Sequence, residues 1–414
     1  MKYVYTSVDI GSDTIKVVVC ELFNNKLNLL AASSVKSRGI KKGLITNGKE
    51  ASISLKKAIN EVEDMLGIKI KKVIASIPNY FSEFVMVKAE ETYQEETEIT
   101  GKEIVGLLQK AMRSKKIENR VMVTTIPIDF MVDDESGIKD PKGMYATTFA
   151  TRAVMVMTPK KNILSVTTLL EDAGLEVADV CLSSIGDMSS MKEDVTKDSV
   201  GAVINIGHET TTISLFNKGI IVNNSVIGLG GKNIDNDISY MYKVTPKEAK
   251  RIKEKFALAH KQYASKGDFI EALNKDGETI KISQYEVSEV VMARIEEILV
   301  LARKEINTLT KRDIDYILIT GGTSSMINFS LIAEEVLGSI AKVSDIHLVG
   351  LRNNKYSACV GNIAYFISKM KLKGKIQSML TKSEMEDLSS GKDGIFTVSE
   401  ESMLGKVFGY FFSE

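Results

Sequence analysis

Two stretches of this chain repeat one pattern, and the repeat limits the folds that the chain can adopt. The first is YTSVDIGSDTIKVVVCEL at 5–22, and the second is GAVINIGHETTTISLFNKG at 201–219, about 195 residues later. Each contains a strand rich in β-branched residues, an Ile-Gly pair, a polar turn with a hydroxyl residue and a second strand, which together predict a β-hairpin. Two copies of one unit favour a fold built from two similar halves.

The composition is that of an ordinary globular protein with two or three domains. Of the 414 residues, 44% are hydrophobic and 26% are charged. Lys and Arg together number 54, as do Asp and Glu, so no net charge attracts the protein to nucleic acid. The three cysteines and three histidines are widely spaced, which argues against disulfides and a zinc site. The few, separated cysteines indicate a protein of a reducing compartment. No segment approaches the roughly 20 apolar residues of a membrane span, so we expect that the protein does not cross a membrane.

Hydrophobic periodicity and local composition divide the chain into segments around the two hairpins. An acidic, strand-rich segment interrupts the first half, and a polar Ser/Gly/Lys segment near the end has the composition of a flexible linker. The predicted parts are a first half at 1–83, completed by 161–198 and 341–370; an inserted α+β subdomain at 84–160; a second half at 199–340 with a helical subdomain at about 228–300; a linker at 371–402; and an amphipathic helix at 403–414.

Four glycine turns could hold a phosphate, because backbone N–H groups can point inward where side chains are small. They lie at 9–16, 205–212, 228–233 and 320–325. Each alone is a weak signal, since glycine turns after strands are mostly structural. Neither a Walker A pattern nor G-x-G-x-x-G occurs, which removes the sequence basis for P-loop or Rossmann binding. The order of the four turns along the chain is the stronger signal.

Two such hairpins, followed by a Gly-Gly loop before a helix and a buried strand ending in Gly-Gly-Thr, resemble the actin-like ATPase superfamily over nearly the whole chain. Within it the chain is similar to the FtsA family of bacterial division proteins. Three features carry that likeness: the insertion, the stretch GLGGKNIDNDIS running into TPKEAKRIKEKF, and the tail after a linker. The resemblance implies an α/β fold with two duplicated β-sheet/helix halves around a nucleotide cleft, an inserted small α+β subdomain and a C-terminal amphipathic helix.

The same resemblance implies a site for ATP and Mg²⁺. Asp9 would act on Mg²⁺ through a water molecule, and Lys16 would reach the phosphates. The implied nucleotide-binding residues are Asp9, Gly11, Ser12, Asp13 and Lys16 in the first phosphate loop; Asn205, Gly207, His208, Thr210 and Thr211 in the second; Gly230, Gly231 and Asn233 beside the ribose; Lys253; and Gly321, Gly322, Thr323 and Ser324 around the adenosine.

The second turn departs from the family pattern Asp-x-Gly-Gly-Gly-Thr-Thr-Asp. Asn205 and Thr212 stand in place of the two acids, and His208 and Glu209 replace glycines. An amide can still hydrogen-bond a metal-bound water, but the lost charge weakens the attraction for Mg²⁺, which favours carboxylate oxygens. If His208 or Glu209 has to adopt a left-handed conformation, we expect about 1–2 kcal/mol of strain at each.

Two further positions depart from the family. Ser183 stands where an acid faces the attacking water, and Lys250 stands where a glutamate commonly faces the adenosine. No residue in the sequence stands out as a general base, which a hydrolase needs to orient water. We therefore expect ATP binding with weak or no ATPase activity, and the sequence leaves open whether the protein is an enzyme.

The resemblance implies a cell-division adaptor that acts at the septum. Such a protein would polymerise with its own copies, work with other division proteins and tether FtsZ filaments to the cytoplasmic face of the cell membrane. An apolar stripe in the tail suits the lipid interface, and its residues are Met403, Leu404, Val407, Phe408, Phe411 and Phe412. The alternatives are a tail helix that docks on its own body, a pilus-assembly adaptor of the same fold, and a kinase or chaperone ATPase of the superfamily.

Overall fold

The first predicted hairpin forms the centre of a five-stranded sheet in the computed structural model, which describes residues 2–115, 117–191 and 199–390. The two strands of the hairpin are antiparallel, with Asp9 opposite Lys16, and the next two strands on the other side are parallel to the first. In spatial order the sheet contains β11 (Glu176–Leu182), β6 (Lys72–Ile77), β1 (Tyr3–Ile10), β2 (Thr14–Phe23) and β3 (Lys26–Lys36). A small hairpin follows, β4 (Ile40–Lys41) and β5 (Leu44–Ile45).

Helices cover both faces of this sheet, because its central strands are apolar on both sides, as in parallel sheets generally. Val8 and Val17 face the helices α1 (Gly48–Leu66) and α3 (Lys160–Asp172). Tyr5 and Val18 face α9 (Ser357–Leu372) on the other side. A short helix, α4 (Ser183–Ser190), packs across α9.

The second predicted hairpin forms the centre of a matching sheet. Its spatial order is β14 (Ile220–Ile227), β13 (Thr211–Asn217), β12 (Val200–Ile206), β17 (Tyr316–Thr320) and β18 (Ala341–Val343), again an antiparallel hairpin joined to two parallel strands. Around it lie α5 (Gly231–Met241), α6 (Pro246–Lys255), α7 (Gln284–Leu309), α8 (Phe329–Leu337) and the hairpin β15 (Phe269–Leu273) and β16 (Thr279–Ser283). The repeated order confirms the predicted fold of two duplicated α/β halves.

The insertion is an α+β unit with its own core. Its sheet has the order β7 (Glu83–Glu98), β10 (Tyr145–Pro159), β8 (Arg120–Val132) and β9 (Glu135–Ile138), and α2 (Gly101–Arg113) packs on it. Phe130 and Phe149 stack in the core with ring centroids 5.6 Å apart. This unit is the small α+β subdomain that the fold prediction includes.

The structure differs from the sequence prediction at two helices of the body. The periodicity predicts one helix over 246–263, but α6 ends at Lys255 because Ala257 and Ala259 turn into the core of the second half. The predicted linker begins at 371, yet its first part lies on the body. Met379 is buried and its N–H donates to the carbonyl of Val4, and α10 (Lys382–Ser390) follows.

The packed body therefore extends to residue 390. The predicted membrane helix at 403–414 lies outside the described residues. No helix in the described part of the chain is long and apolar enough to cross a membrane.

Candidate functional site

Three of the four glycine turns line one cavity of about 580 Å³ between the two halves. The turns at 9–16 and 205–212 face each other, and the turn at 320–325 joins them from the end of β17. The predicted site residues that line the cavity are Asp9, Gly11, Ser12, Asp13, Lys16, Asn205, Gly207, His208, Thr210, Lys253, Gly321, Gly322 and Thr323.

The other predicted residues lie behind the wall of this cavity. Gly231 donates its N–H to the carbonyl of Gly207, and a Cβ at Gly230 would lie 2.6 Å from the same oxygen. Only glycine therefore lets the turn at 228–233 pack so closely behind the second phosphate loop. Three polar side chains are used within the protein: Thr211 donates to Leu229, Ser324 donates to Gly321, and Asn233 accepts from Gly230.

The first turn presents a neutralised pair rather than a free carboxylate. Asp9 is the next-to-last residue of β1 and Lys16 lies opposite it in β2, so the two side chains meet on one face with Oδ2 and Nζ 2.7 Å apart. Gly11 closes the turn by donating to the carbonyl of Thr14. The Asp9–Lys16 pair sets one wall of the cavity.

The second turn accepts its two bulky residues without backbone strain. Neither His208 nor Glu209 has a positive φ, so the condition for left-handed strain is not met at either residue. Gly207 donates its N–H to the carbonyl of Thr210 and so closes a tight turn. Burial lowers the pKa of His208 to about 4, although Asp13 acts in the opposite direction, so the imidazole is neutral at pH 7.

An ion pair and a hydrogen bond to the backbone join the two halves across the cavity. Lys250 of α6 donates to both carboxylate oxygens of Asp13, at 2.7 and 2.6 Å. Burial opposes the ionisation of Asp13, but the hydrogen bonds from Lys250 and Lys36 outweigh it and hold the pKa of this carboxyl well below its usual range. Glu209 accepts from the backbone N–H of Lys42 on the opposite side at 2.5 Å. The residues that depart from the family pattern thus connect the halves.

A buried carboxylate that the sequence did not reveal lies directly behind the cavity. Asp187 of α4 is 1% exposed, and its Oδ2 accepts a hydrogen bond of 2.7 Å from the side-chain amide of Asn205. The hydroxyl of Ser357 donates to Oδ1. Burial raises the pKa of Asp187 to about 6, against the effect of these two donors. The available signal was a single acid within the otherwise uncharged stretch SSIGDMSS.

Further charged residues that were not predicted there also line the cavity. One of them is Glu254, which lies one turn after Lys250 on α6. It brings a glutamate to the cavity although the position where the family has one is occupied by Lys250. Lys355 lies near the turn at 320–325, and burial lowers its pKa, as does the neighbouring Lys16. Ser183 also lines the cavity and accepts a hydrogen bond from Asn79.

The arrangement suits a magnesium ion held together with phosphates rather than by protein alone. Within the described ranges, no group of three or more Asp, Glu, His or Cys side chains could hold a metal ion. The carboxylate of Asp9 and the amide of Asn205 both reach the cavity wall, and Mg²⁺ in nucleotide sites commonly keeps several waters and takes one or two protein ligands besides phosphate oxygens. The donors present therefore fit a water-mediated Mg²⁺.

Comparison with known proteins gives a consistent set of similarities. Residues 202–361 match the family model "Cell division protein FtsA", and residues 83–157 match the model "SHS2 domain inserted in FTSA". The cell division protein FtsA of Bacillus subtilis (strain 168) is 28% identical over 374 residues, which cover 90% of this chain and 85% of that protein.

Solved structures are similar in fold at much lower identity. MreB5 of Spiroplasma citri bound to ADP has a TM-score of 0.55 at 13% identity, covering 90% of this chain and 98% of that one. A chain of the PilM-PilN type IV pilus biogenesis complex has a TM-score of 0.56 at 13% identity, covering 87% and 98%. These likenesses show the actin-like fold.

Proposed function

The chain belongs to the FtsA family of cell division proteins, and we propose that it is an ATP-binding adaptor that polymerises and tethers FtsZ filaments to the cytoplasmic face of the cell membrane. One observation carries the nucleotide part of this proposal: three glycine turns, contributed by both halves, line a single cavity. Its volume of about 580 Å³ lies within the roughly 300–1,000 Å³ of ligand pockets.

The charges around the cavity support a phosphate ligand. Lys16, Lys250 and Lys355 all line it, and backbone N–H groups at Gly-rich turns favour anions. The proposed site holds the phosphates between the turns at 9–16 and 205–212 and the nucleoside beside Glu254 and the turn at 320–325. Bound Mg²⁺ would supply positive charge between the phosphate oxygens, with Asp9 and Asn205 holding its water molecules.

The acids of the cavity support slow turnover. Those that line it among the described residues are Asp9, Asp13 and Glu254. The first two are engaged by Lys16 and Lys250, while a hydrolase needs a group free to orient the attacking water. We propose that ATP serves assembly rather than chemistry.

Calorimetry and phosphate release test this part together. We expect ATP with Mg²⁺ to bind the full chain and turnover to stay below about 1 s⁻¹, the lower end of typical enzymes. Absence of binding at millimolar ATP refutes the nucleotide site, and faster turnover refutes the scaffold role of ATP.

Polymer formation is proposed to use the inserted unit. It has its own core, as a module inserted at a surface loop must. Deleting 84–160 should leave a body that still binds ATP but no longer forms filaments, which electron microscopy and sedimentation can show. Filaments of wild-type appearance from the shortened chain contradict this role.

Membrane attachment is proposed to use the tail at 403–414. Lys406 is its only base, against Glu400, Glu401 and Glu414 nearby, so a single tail should bind lipid weakly. A polymer raises the effective concentration of each tail and makes the combined attachment stable.

Vesicle co-sedimentation with and without FtsZ tests the tether. Phe408→Glu and a chain ending at Ser402 should both stay in the supernatant and leave FtsZ there, while wild type carries FtsZ into the pellet. Phe81→Glu, at a phenylalanine of the body that is 75% exposed, is the matched control and should pellet like wild type. Equal pelleting of all four proteins shows that the tail is not the anchor.

A further inference from the structure

Asn205 occupies a position where its orientation matters. It is the residue of β12 opposite Thr212, and it lines the cavity across from Asp9. The amide of asparagine can present either a hydrogen-bond acceptor or two donors. A water molecule bound to Mg²⁺ donates hydrogen bonds, so only the orientation with the oxygen toward the cavity suits it.

Asp187 decides between these two orientations. An ionised carboxylate only accepts hydrogen bonds, and Oδ2 of Asp187 lies 2.7 Å from Nδ2 of Asn205. The amide nitrogen must therefore point back toward α4. The amide oxygen then points toward Gly321, where a Cβ would come within 2.5 Å of it, and glycine alone leaves that oxygen space.

Asp187 is itself held in place. Ser357 donates to its other oxygen from the start of α9, and the side chain is 1% exposed. The two hydrogen bonds join α4, α9 and β12, the three elements that meet where the chain passes between the halves. Asp187 also interacts electrostatically with Asp9 and Lys16 on the far wall, so its charge acts on residues that line the cavity.

We propose that Asp187 is a positioning residue for the cation end of the nucleotide site: it turns the oxygen of Asn205 toward the cavity and supplies, from behind the wall, the negative charge that Asn205 lacks. This inference rests on the proposed function. Groups that orient a ligand to a metal typically change metal affinity 10–100-fold when they are removed.

The experiment compares ATP affinity in Mg²⁺ with ATP affinity in EDTA for the full chain, by calorimetry. The quantity of interest is the ratio of the two dissociation constants. This ratio is the advantage that Mg²⁺ gives to ATP binding. In Asp187→Asn we expect it to fall about tenfold, while the affinity for ATP in EDTA changes less than about twofold. The double variant Asp187→Asn/Asn205→Asp returns a carboxylate to the wall and should recover the advantage.

Two further variants separate positioning from simple destabilisation. Asp179→Asn alters a half-buried carboxylate of the same half, paired with Lys369 at 2.5 Å and away from the cavity, and should keep the wild-type ratio. Ser357→Ala leaves the contact between Asp187 and Asn205 but removes its support, and should reduce the ratio about threefold. If Asp187→Asn does not fold, the ratio measured for Ser357→Ala tests the proposal.

The outcomes distinguish this inference from the proposed function. If wild type binds no ATP in either buffer, the nucleotide site itself is refuted. If wild type binds ATP with an advantage from Mg²⁺, but Asp187→Asn and Ser357→Ala keep that advantage, only the role of Asp187 is refuted. An equal affinity of wild type in Mg²⁺ and EDTA, or a double variant that recovers nothing, also overturns it.

Discussion

Gly361 lies at the crossing of α9 and α4, where the two backbones are in direct contact. A Cβ at Gly361 would lie 1.6 Å from the carbonyl oxygen of Gly186 and 2.9 Å from the backbone nitrogen of Ser190. Backbone atoms cannot rotate away as a flexible side chain can. In Gly361→Ala the helices therefore have to separate by about 1.4 Å before that contact reaches 3.0 Å.

The energetic cost follows from two opposing effects. Overpacking of a well-filled interior costs roughly 1–3 kcal/mol and sometimes more, and the rigid backbone at this crossing places Gly361→Ala at the upper end. Alanine gains about 1 kcal/mol of helix propensity over glycine. We expect the free energy of unfolding to fall by about 2 kcal/mol. Because the entropy of unfolding grows with chain length, this lowers the melting temperature of the 414-residue chain by roughly 2 °C. ATP affinity should fall too, because Ser357 and Asp187 lie on the same crossing.

Circular dichroism during heating of the full chain measures this effect. Gly106→Ala is the matched control: Gly106 lies inside α2, and a Cβ there would meet no atom within 4 Å. That variant should melt at the wild-type temperature or slightly above it. If Gly361→Ala melts with wild type, the two helices are not packed as closely as the structure shows and the reasoning fails.

Two other predictions concern charges in the cavity. Lys250→Met removes the donor to Asp13 and a cation of the wall, so ATP affinity should fall about tenfold, on the order of one charge-assisted hydrogen bond, whereas Lys255→Met on the exposed side of the same helix should bind ATP like wild type. Burial lowers the pKa of His208 to about 4 from 6.5, so the unfolded chain takes up this proton first and wild type loses about 3 kcal/mol of stability through this group as the pH falls from about 6.5 to 4. The melting temperature of His208→Gln should fall less over that range, because the variant lacks this imidazole. Asp187, whose pKa is raised to about 6, acts in the opposite direction but equally in both proteins. Parallel profiles would contradict the burial of His208.

Much of the fold could be predicted because it is recorded in local patterns. Strand alternation, helical periodicity and turn residues depend on neighbours in the sequence, so the hairpins at Asp9 and Asn205, the buried strand β17 and the existence of an inserted α+β unit were all accessible. The ends of helices and strands were harder to predict from the sequence. The helix at Pro246 stops early because Ala257 and Ala259 enter the core, which depends on packing and not on periodicity.

The sequence alone determined that two phosphate-type turns exist, and that the second carries Asn205, His208 and Glu209 where its family has an acid and glycines. Only the tertiary structure decided what these residues do. Asp13 meets Lys250 across 237 positions of the chain, and Asp187 meets Asn205 because α4 packs behind β12. Such pairs leave no periodic signal, since the distance between their side chains is set by how the two halves pack and not by how far apart they lie in the sequence.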